Sequence, residues 1–210
     1  HLIAFAVEDT GAAHGRLTAQ GFAPGPVGHL RRPVELEGGK MGEVAFSVIR
    51  VAPDAMAEGR IQMLRQETPE LAWQDRFITR DNHLTALTGV LLCVDDPQGV
   101  AARYGSFTGR QAVGDGDYLI IGLDRGRLGF ASAQRCRALL PGSDVPGTPF
   151  MAAIGLQSND LDATAEYLAA NGIDTQARDG MLYVAAEDAL GGGLVIHPEG
   201  AEWPPAEGGK

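Results

Sequence analysis

Cysteine is scarce in this sequence. Only Cys93 and Cys136 occur in 210 residues. Two thiols so far apart form neither a secreted disulfide framework nor a zinc knuckle. Cys93 sits in an apolar strand pattern, where a thiol acts as a small core residue, and a reducing cytoplasm is the expected compartment. Long apolar runs are missing as well. Nothing approaches the roughly 20 apolar residues of a membrane-spanning helix, and no segment joins a basic start to an apolar core as a signal peptide does. Cations are in deficit, with 17 Lys and Arg against 27 Asp and Glu and a net charge of −10. Phosphate backbones are bound by clustered Lys and Arg, so neither nucleic acid nor a membrane is an expected partner. The run Leu30-Arg31-Arg32-Pro33 is too short to reverse that balance.

What the chain does have is a repeat. Around Asp9, Asp96 and Asp160 the same order recurs: an apolar strand-like run, an acidic turn, an alanine-rich helical pattern, then glycine. The stretches read LIAFAVEDTGAAHGRLTAQGF, GVLLCVDDPQGVAARYGSFTG and AAIGLQSNDLDATAEYLAANGI. Asp9 to Gly21 and Asp160 to Gly172 each span 12 residues, and Asp96 to Gly109 spans 13. A repeated unit of this kind dictates the fold assignment before any single element does.

Each repeat continues into three strand candidates. In the first module these are Val27 to Leu36, Glu43 to Val51 and Arg60 to Gln66, separated by Gly and Pro turn signals. In the second they are Gln111 to Val113, Tyr118 to Leu123 and Arg127 to Ala131, followed by a short helix from Ser132 to Leu140. In the third they are Asp174 to Ala177, Met181 to Ala185 and Gly193 to His197. The three aspartates are placed to cap the helices, and Pro97 stands at a first-turn position where its missing N–H costs nothing. The expected fold is α+β, with mixed sheets built from βαβββ modules. A single module covers 1–67, a linker with packed Trp73 and Phe77 covers 68–87, paired modules cover 88–198, and a flexible tail covers 199–210.

A βαβββ unit opened by a strand ending in Val-x-Asp, with a helix closing at Gly-Phe or Gly-Ile, resembles the vicinal-oxygen-chelate superfamily. That group includes glyoxalase I, extradiol dioxygenases and bleomycin-resistance proteins. FAVEDTGAAHGRLTAQGF, followed by RRPVELEGG and TPELAW, is similar to a bacterial glyoxalase-like subgroup. The resemblance implies that modules pair, that their sheets cup around a small organic molecule, and that a divalent metal often sits in the cup. Two functions are then expected: lyase, isomerase or dioxygenase-type chemistry, or non-catalytic sequestration of a drug-like molecule. Three modules are an odd number for a fold built in pairs, so the first is expected to pair in a homodimer or with an upstream module.

The superfamily's metal ligands come from His or Glu near the start of a module's first strand and Glu near the end of its last. Seven positions before each turn acid stand Leu2, Gly89 and Ala153, none of which ligates a metal. His1 is one place off, which in a strand is the opposite face. The last strands offer Gln66, Glu67 and His197 only. No metal is therefore expected unless a further module supplies ligands, since a divalent cation requires several convergent donors. The candidate ligand-binding residues are Arg32, Gln66, Glu67, His83 and His197. Arg32 offers a bidentate clamp for a carboxylate, and His83 lies in a loop placed to cover a cavity mouth. His14 reads as an exposed or partly buried helix histidine, His29 sits in a Gly-His-Leu turn near Arg31 and Arg32, and Glu70 flanks Thr68-Pro69 where a helix N-terminus favours acids. Gly191-Gly192-Gly193 lacks the Lys-Ser/Thr ending of a phosphate loop and reads as a tight entry to a strand. Ser106, Ser132 and Ser158 have no nucleophile-elbow setting.

Overall fold

The computed structural model describes residues 2–189 and 191–206. His1 lies outside the described residues. The chain divides into two compact units, 1–79 and 80–210. The expected linker is thus split, with 68–79 folding into the first unit and 80–87 into the second.

The first unit holds β1 (Leu2–Ala6), α1 (Thr10–Ala19), β2 (Gly28–Glu35), β3 (Met41–Arg50), β4 (Arg60–Gln66) and the single-turn α2 (Pro69–Ala72). Its sheet runs β1-β4-β3-β2, with β1 parallel to β4 and the other neighbours antiparallel. The Asp9 carboxylate accepts from the Ala12 N–H at 3.0 Å and starts α1, satisfying a donor that has no helical partner. Side chains alternate across a strand, and the register sorts them into two faces. Ile3, Phe5, Ile49, Ile61 and Met63 are buried on the face beneath Ala13 and Leu17 of α1. Arg16 Nη2 reaches Met63 Sδ at 3.8 Å and marks that side. The opposite face carries Leu30, Arg32, Val44, Phe46, Arg50, Arg60, Gln62 and Gln66. Strand β1 is an edge of this sheet.

The second unit contains two more βαβββ modules. One is β5 (Leu84–Cys93), α3 (Pro97–Thr108), β6 (Ala112–Asp115), β7 (Tyr118–Gly122) and β8 (Arg127–Ala131). The short α4 (Ala133–Leu139) follows, capped by Ser132 Oγ on the Arg135 N–H at 3.1 Å. The other is β9 (Phe150–Ser158), α5 (Leu161–Ala170), β10 (Gln176–Arg178), β11 (Met181–Val184) and β12 (Gly193–Pro198). Asp96 caps α3 through the Gly99 N–H at 2.9 Å, and Asp160 caps α5 through Ala163 at 3.0 Å. All three modules therefore share one cap and one strand order, first-fourth-third-second. The two modules of this unit join through their first strands, β5 antiparallel to β9, into an eight-stranded sheet.

Helices cover one face of that sheet. Tyr104 of α3 packs its ring 5.0 Å from Phe130 of β8. Leu168 of α5 closes over Leu182, Val184 and Ile196. The other face is covered by the chain itself. Leu91, Cys93, Tyr118, Ile120, Ala131, Ala153 and Val195 form one core with Cys136 of α4, Leu140 and Trp203.

Two sequence expectations fail here. The tail was expected to be flexible from 199 onward, yet Trp203 is only 2% exposed. Burial of the indole, together with the hydrogen bonds that the Pro204 and Pro205 carbonyls accept, offsets the entropy of ordering the segment. Trp73 and Phe77 were expected to be packed, yet they are 68% and 59% exposed. Trp73 is held by its edge, donating from Nε1 to Gln66 Oε1 at 2.7 Å. The Arg76 guanidinium lies 4.6 Å above the Phe77 ring.

Candidate functional site

The α1-free face of the first sheet brings two of the five candidates together. Arg32 pairs in register with Val44, two places along from Leu30 and Phe46, and Phe46 pairs in turn with Gln66. The next row along is Gly28, Val48 and Leu64, with Val48 buried. Arg50 and Gln62 pair in the row beyond it, and Arg60 lies level with Leu2. No strand residue on this face is acidic. In a chain of net charge −10, this face carries arginines and no strand carboxylate: Arg32 stands at one end beside the exposed or half-buried Leu30, Val44 and Phe46, and Arg50 and Arg60 stand at the other, beyond the buried Val48.

Glu67 is one residue beyond Gln66, and the period of two sends it to the other face. There Ser47 Oγ donates to Glu67 Oε1 at 2.7 Å and lies 3.0 Å from His29 Nδ1. A serine hydroxyl has a single proton. With that proton on the carboxylate, His29 Nδ1 must be the protonated nitrogen donating to Ser47. A nucleophilic serine gives its proton to histidine, so this order, with Ser47 buried between the two, ties β2, β3 and the end of β4 together and does not activate a nucleophile. Glu67 is thereby withdrawn from the ligand-facing set. Ser47 was not singled out in the sequence, because only the register brings it between His29 and Glu67.

His83 belongs to the second unit. It takes a left-handed φ of 57°, its N–H bonds Arg80 O, and its carbonyl accepts from Asn159 N. The turn is pinned to the start of α5, where Thr164 Oγ1 donates to Asn82 O at 2.9 Å.

His197 does lie on the inner face of the eight-stranded sheet, but it is 1% exposed. Its Nδ1 is 3.0 Å from Pro198 O, and its Nε2 is 2.7 Å from Thr88 Oγ1. A carbonyl only accepts, so Nδ1 carries a proton. In the neutral ring, Nε2 then accepts from Thr88. Both nitrogens are occupied, which removes His197 as a free ligand.

The inner face is instead shaped around Trp203 and Pro204. Three strand glycines form the floor. A Cβ at Gly89 would collide with the Trp203 carbonyl and lie 2.6 Å from Pro204 Cδ. At Gly155 it would lie 2.7 Å from Trp203 Cε3, and at Gly129 it would lie 3.0 Å from Pro204 Cγ. Tyr118 Oη donates to Pro205 O at 2.6 Å, and Arg127 Nη1 donates to Pro204 O at 3.1 Å. Arg127 also pairs with Glu202. A small open notch remains beside the tail, lined by Val113, Tyr118, Ile120 and Ala206. Sequence reasoning missed Arg127, Tyr118 and Trp203. The available signals were isolated glycines inside strand patterns, which mark close approach of another segment, and a tryptophan in a tail read as mobile.

The two cysteines meet in this core. Burial pushes both thiols up from their ordinary value, Cys136 further than Cys93. Thiols held protonated in this way are inert small core residues.

Three modules ordered first-fourth-third-second, two of them joined through their first strands, give this chain a glyoxalase-like fold. Among solved structures it is similar to the Mn(II)-bound glyoxalase from Novosphingobium aromaticivorans. Identity is 15%, the TM-score is 0.56, and the match covers 96% of this chain and 63% of that one. It is also similar to a hypothetical protein from Staphylococcus aureus, at 8% identity and a TM-score of 0.60, covering 92% of this chain and 64% of that one. The methylmalonyl-CoA epimerase from Mycobacterium tuberculosis matches 61% of this chain over 97% of its own length, at 14% identity and a TM-score of 0.45. For the glyoxalase and the hypothetical protein the likeness is one of fold. The chain spans just under two thirds of the length of the first two. No protein-family model matches the sequence, and no curated protein matches it.

The fold raises the question of a divalent metal, and the donor set answers poorly. Among the described residues no group of three or more His, Cys, Asp or Glu could hold an ion. The first sheet's free face presents arginines, which repel a cation, and His197 has both nitrogens engaged. These residues do not fit the group. Among the described residues, no helix is long and apolar enough to cross a membrane.

Proposed function

We propose that this protein binds a small organic anion with an apolar body on the α1-free face of the first sheet, as a sequestering protein of the bleomycin-resistance type. One observation carries the reading: a strand face without a carboxylate, bearing Arg32 beside Leu30, Val44 and Phe46, with Trp73 on Gln66 and with Arg50 and Arg60 further along, in a strongly acidic chain. A guanidinium suits a carboxylate through paired N–H donors, and the apolar residues supply area for the body of the ligand. Sequestration is favoured over catalysis because Glu67, the nearest carboxylate in sequence to Gln66, faces the other way.

Isothermal calorimetry with naphthoate and its neutral amide tests this. The carboxylate is expected to bind more tightly than the amide. Arg32→Ala should weaken naphthoate by about fivefold, since an exposed charge contact is worth up to about 1 kcal/mol, and should leave the amide unchanged. Equal affinity for both probes in the parent protein would remove the proposal.

A second copy is the partner that β1 suits. Strands β5 and β9 occupy the same position in their modules and pair with each other, whereas β1 is a sheet edge with alternate residues Leu2, Ala4 and Ala6 exposed. Unpaired edges recruit strands. Sedimentation velocity is expected to show a dimer that Ala4→Lys dissociates; a monomer at all concentrations would sink it.

A further inference from the structure

The geometry points to the segment Glu202–Pro205 as a built-in ligand of the second unit, a plug that occupies its inner sheet face and leaves when a planar aromatic carboxylate or carbonyl compound competes for the same place. The segment has no helix or strand of its own. A turn closed by Ala201 N–H on Pro198 O brings it back over the sheet. From there it is held as a small molecule is held, with the indole over Gly155, the Trp203 backbone and Pro204 over Gly89 and Gly129, and carbonyl oxygens on two fixed donors. Trp203 lies against Gly89 and Gly155, and Pro204 against Gly129. Tyr118 Oη and Arg127 Nη1 donate to successive carbonyls.

The donors belong to the sheet and remain when the tail leaves. Arg127 is largely buried, with its side chain 16% exposed, whereas its tail partner Glu202 is 67% exposed. Once the segment is displaced, Arg127 loses that carboxylate and two carbonyl acceptors become unfilled positions for a ligand's oxygens. A largely buried guanidinium that loses its anion is costly, so the vacated face selects a ligand with an oxygen acceptor on an aromatic body. His197 stays on its two partners and takes no part.

Mass action makes the idea testable. If tail and ligand exclude each other, apparent affinity equals intrinsic affinity scaled by the fraction of molecules with the tail out. Weakening the tail must then tighten ligand binding. By reciprocity the ligand must expose Trp203. A fixed core segment shows neither effect. This inference concerns a different unit from the anion site proposed above, and its readout is Trp203 itself.

The experiment uses the full chain. In Trp73→Phe protein, Trp203 is the sole tryptophan, and its indole N–H cross-peak is followed by heteronuclear NMR during titration with naphthoate. The cross-peak is expected to move at saturation to the position it has in a free peptide of residues 199–206. In parallel, calorimetry in an Arg32→Ala background, where the first-sheet site is weakened, is expected to show naphthoate binding several-fold tighter with Glu202→Gln and at least tenfold tighter with Trp203→Ala. Glu202→Gln alters only an exposed tail residue, so it carries the test if Trp203→Ala folds poorly. A Trp203 cross-peak that stays in place at saturating naphthoate, or a Glu202→Gln protein that binds no more tightly than its parent, overturns the proposal.

Discussion

Gly89→Ala is expected to lower the unfolding free energy by about 1–3 kcal/mol, the range for overpacking a filled core. The added methyl meets a backbone carbonyl, that of Trp203, and a prolyl ring carbon 2.6 Å away. Neither can rotate aside as the end of a flexible side chain would. Gly89 cannot retreat either, because it pairs in register with Arg127 on one side and Gly155 on the other. The remaining relief is for the tail to leave, and the cost is then set by what the tail contributes. Urea denaturation measures the loss, and the Trp203 indole cross-peak reports which relief was taken. Unchanged stability with Trp203 still buried is incompatible with the packing described.

Trp203→Ala is expected to cost about 3–5 kcal/mol, as large-to-small changes at buried aromatic positions do. The indole is 2% exposed and shares its core with Leu91, Tyr118, Ile120 and Val195. Trp73 provides the control within the same chain. At 68% exposure, Trp73→Ala should change stability by no more than about 0.5 kcal/mol. Equilibrium denaturation of the two variants under one condition gives the contrast directly. Domains are commonly stable by about 5–15 kcal/mol, so the Trp203 variant is expected to remain folded and usable for binding. If both substitutions cost the same small amount, the tail is not seated on the sheet in solution.

The modules were readable from local signals. Asp9, Asp96 and Asp160 each precede a helical pattern, and each accepts from the N–H three residues on. Capping is a short-range interaction, so its signature survives in the linear order. Strands Arg60–Gln66 and Arg127–Ala131 begin and end where their turn residues place them. The inference from repeat to glyoxalase-like fold followed from three copies of one pattern, which no single element would have supported.

The site was less legible, because the fate of each candidate depended on pairing between distant strands. Arg32 and Gln66 come to share a face only through the registers of β2 with β3 and β3 with β4. Glu67 is lost from that face by a single step along the chain. His197 has the right chemistry and lies on the inner face, yet Thr88, 109 positions away in sequence, takes its free nitrogen.

The sequence by itself determined the modules, their caps and the order of strands and helix along each module, because each is encoded by neighbours within a few residues. Only the tertiary structure decided what fills the inner face of the second unit. Three glycines on three strands come together only once the sheet has formed, and the hollow they leave is matched to Trp203 and Pro204 by shape, which no local pattern records.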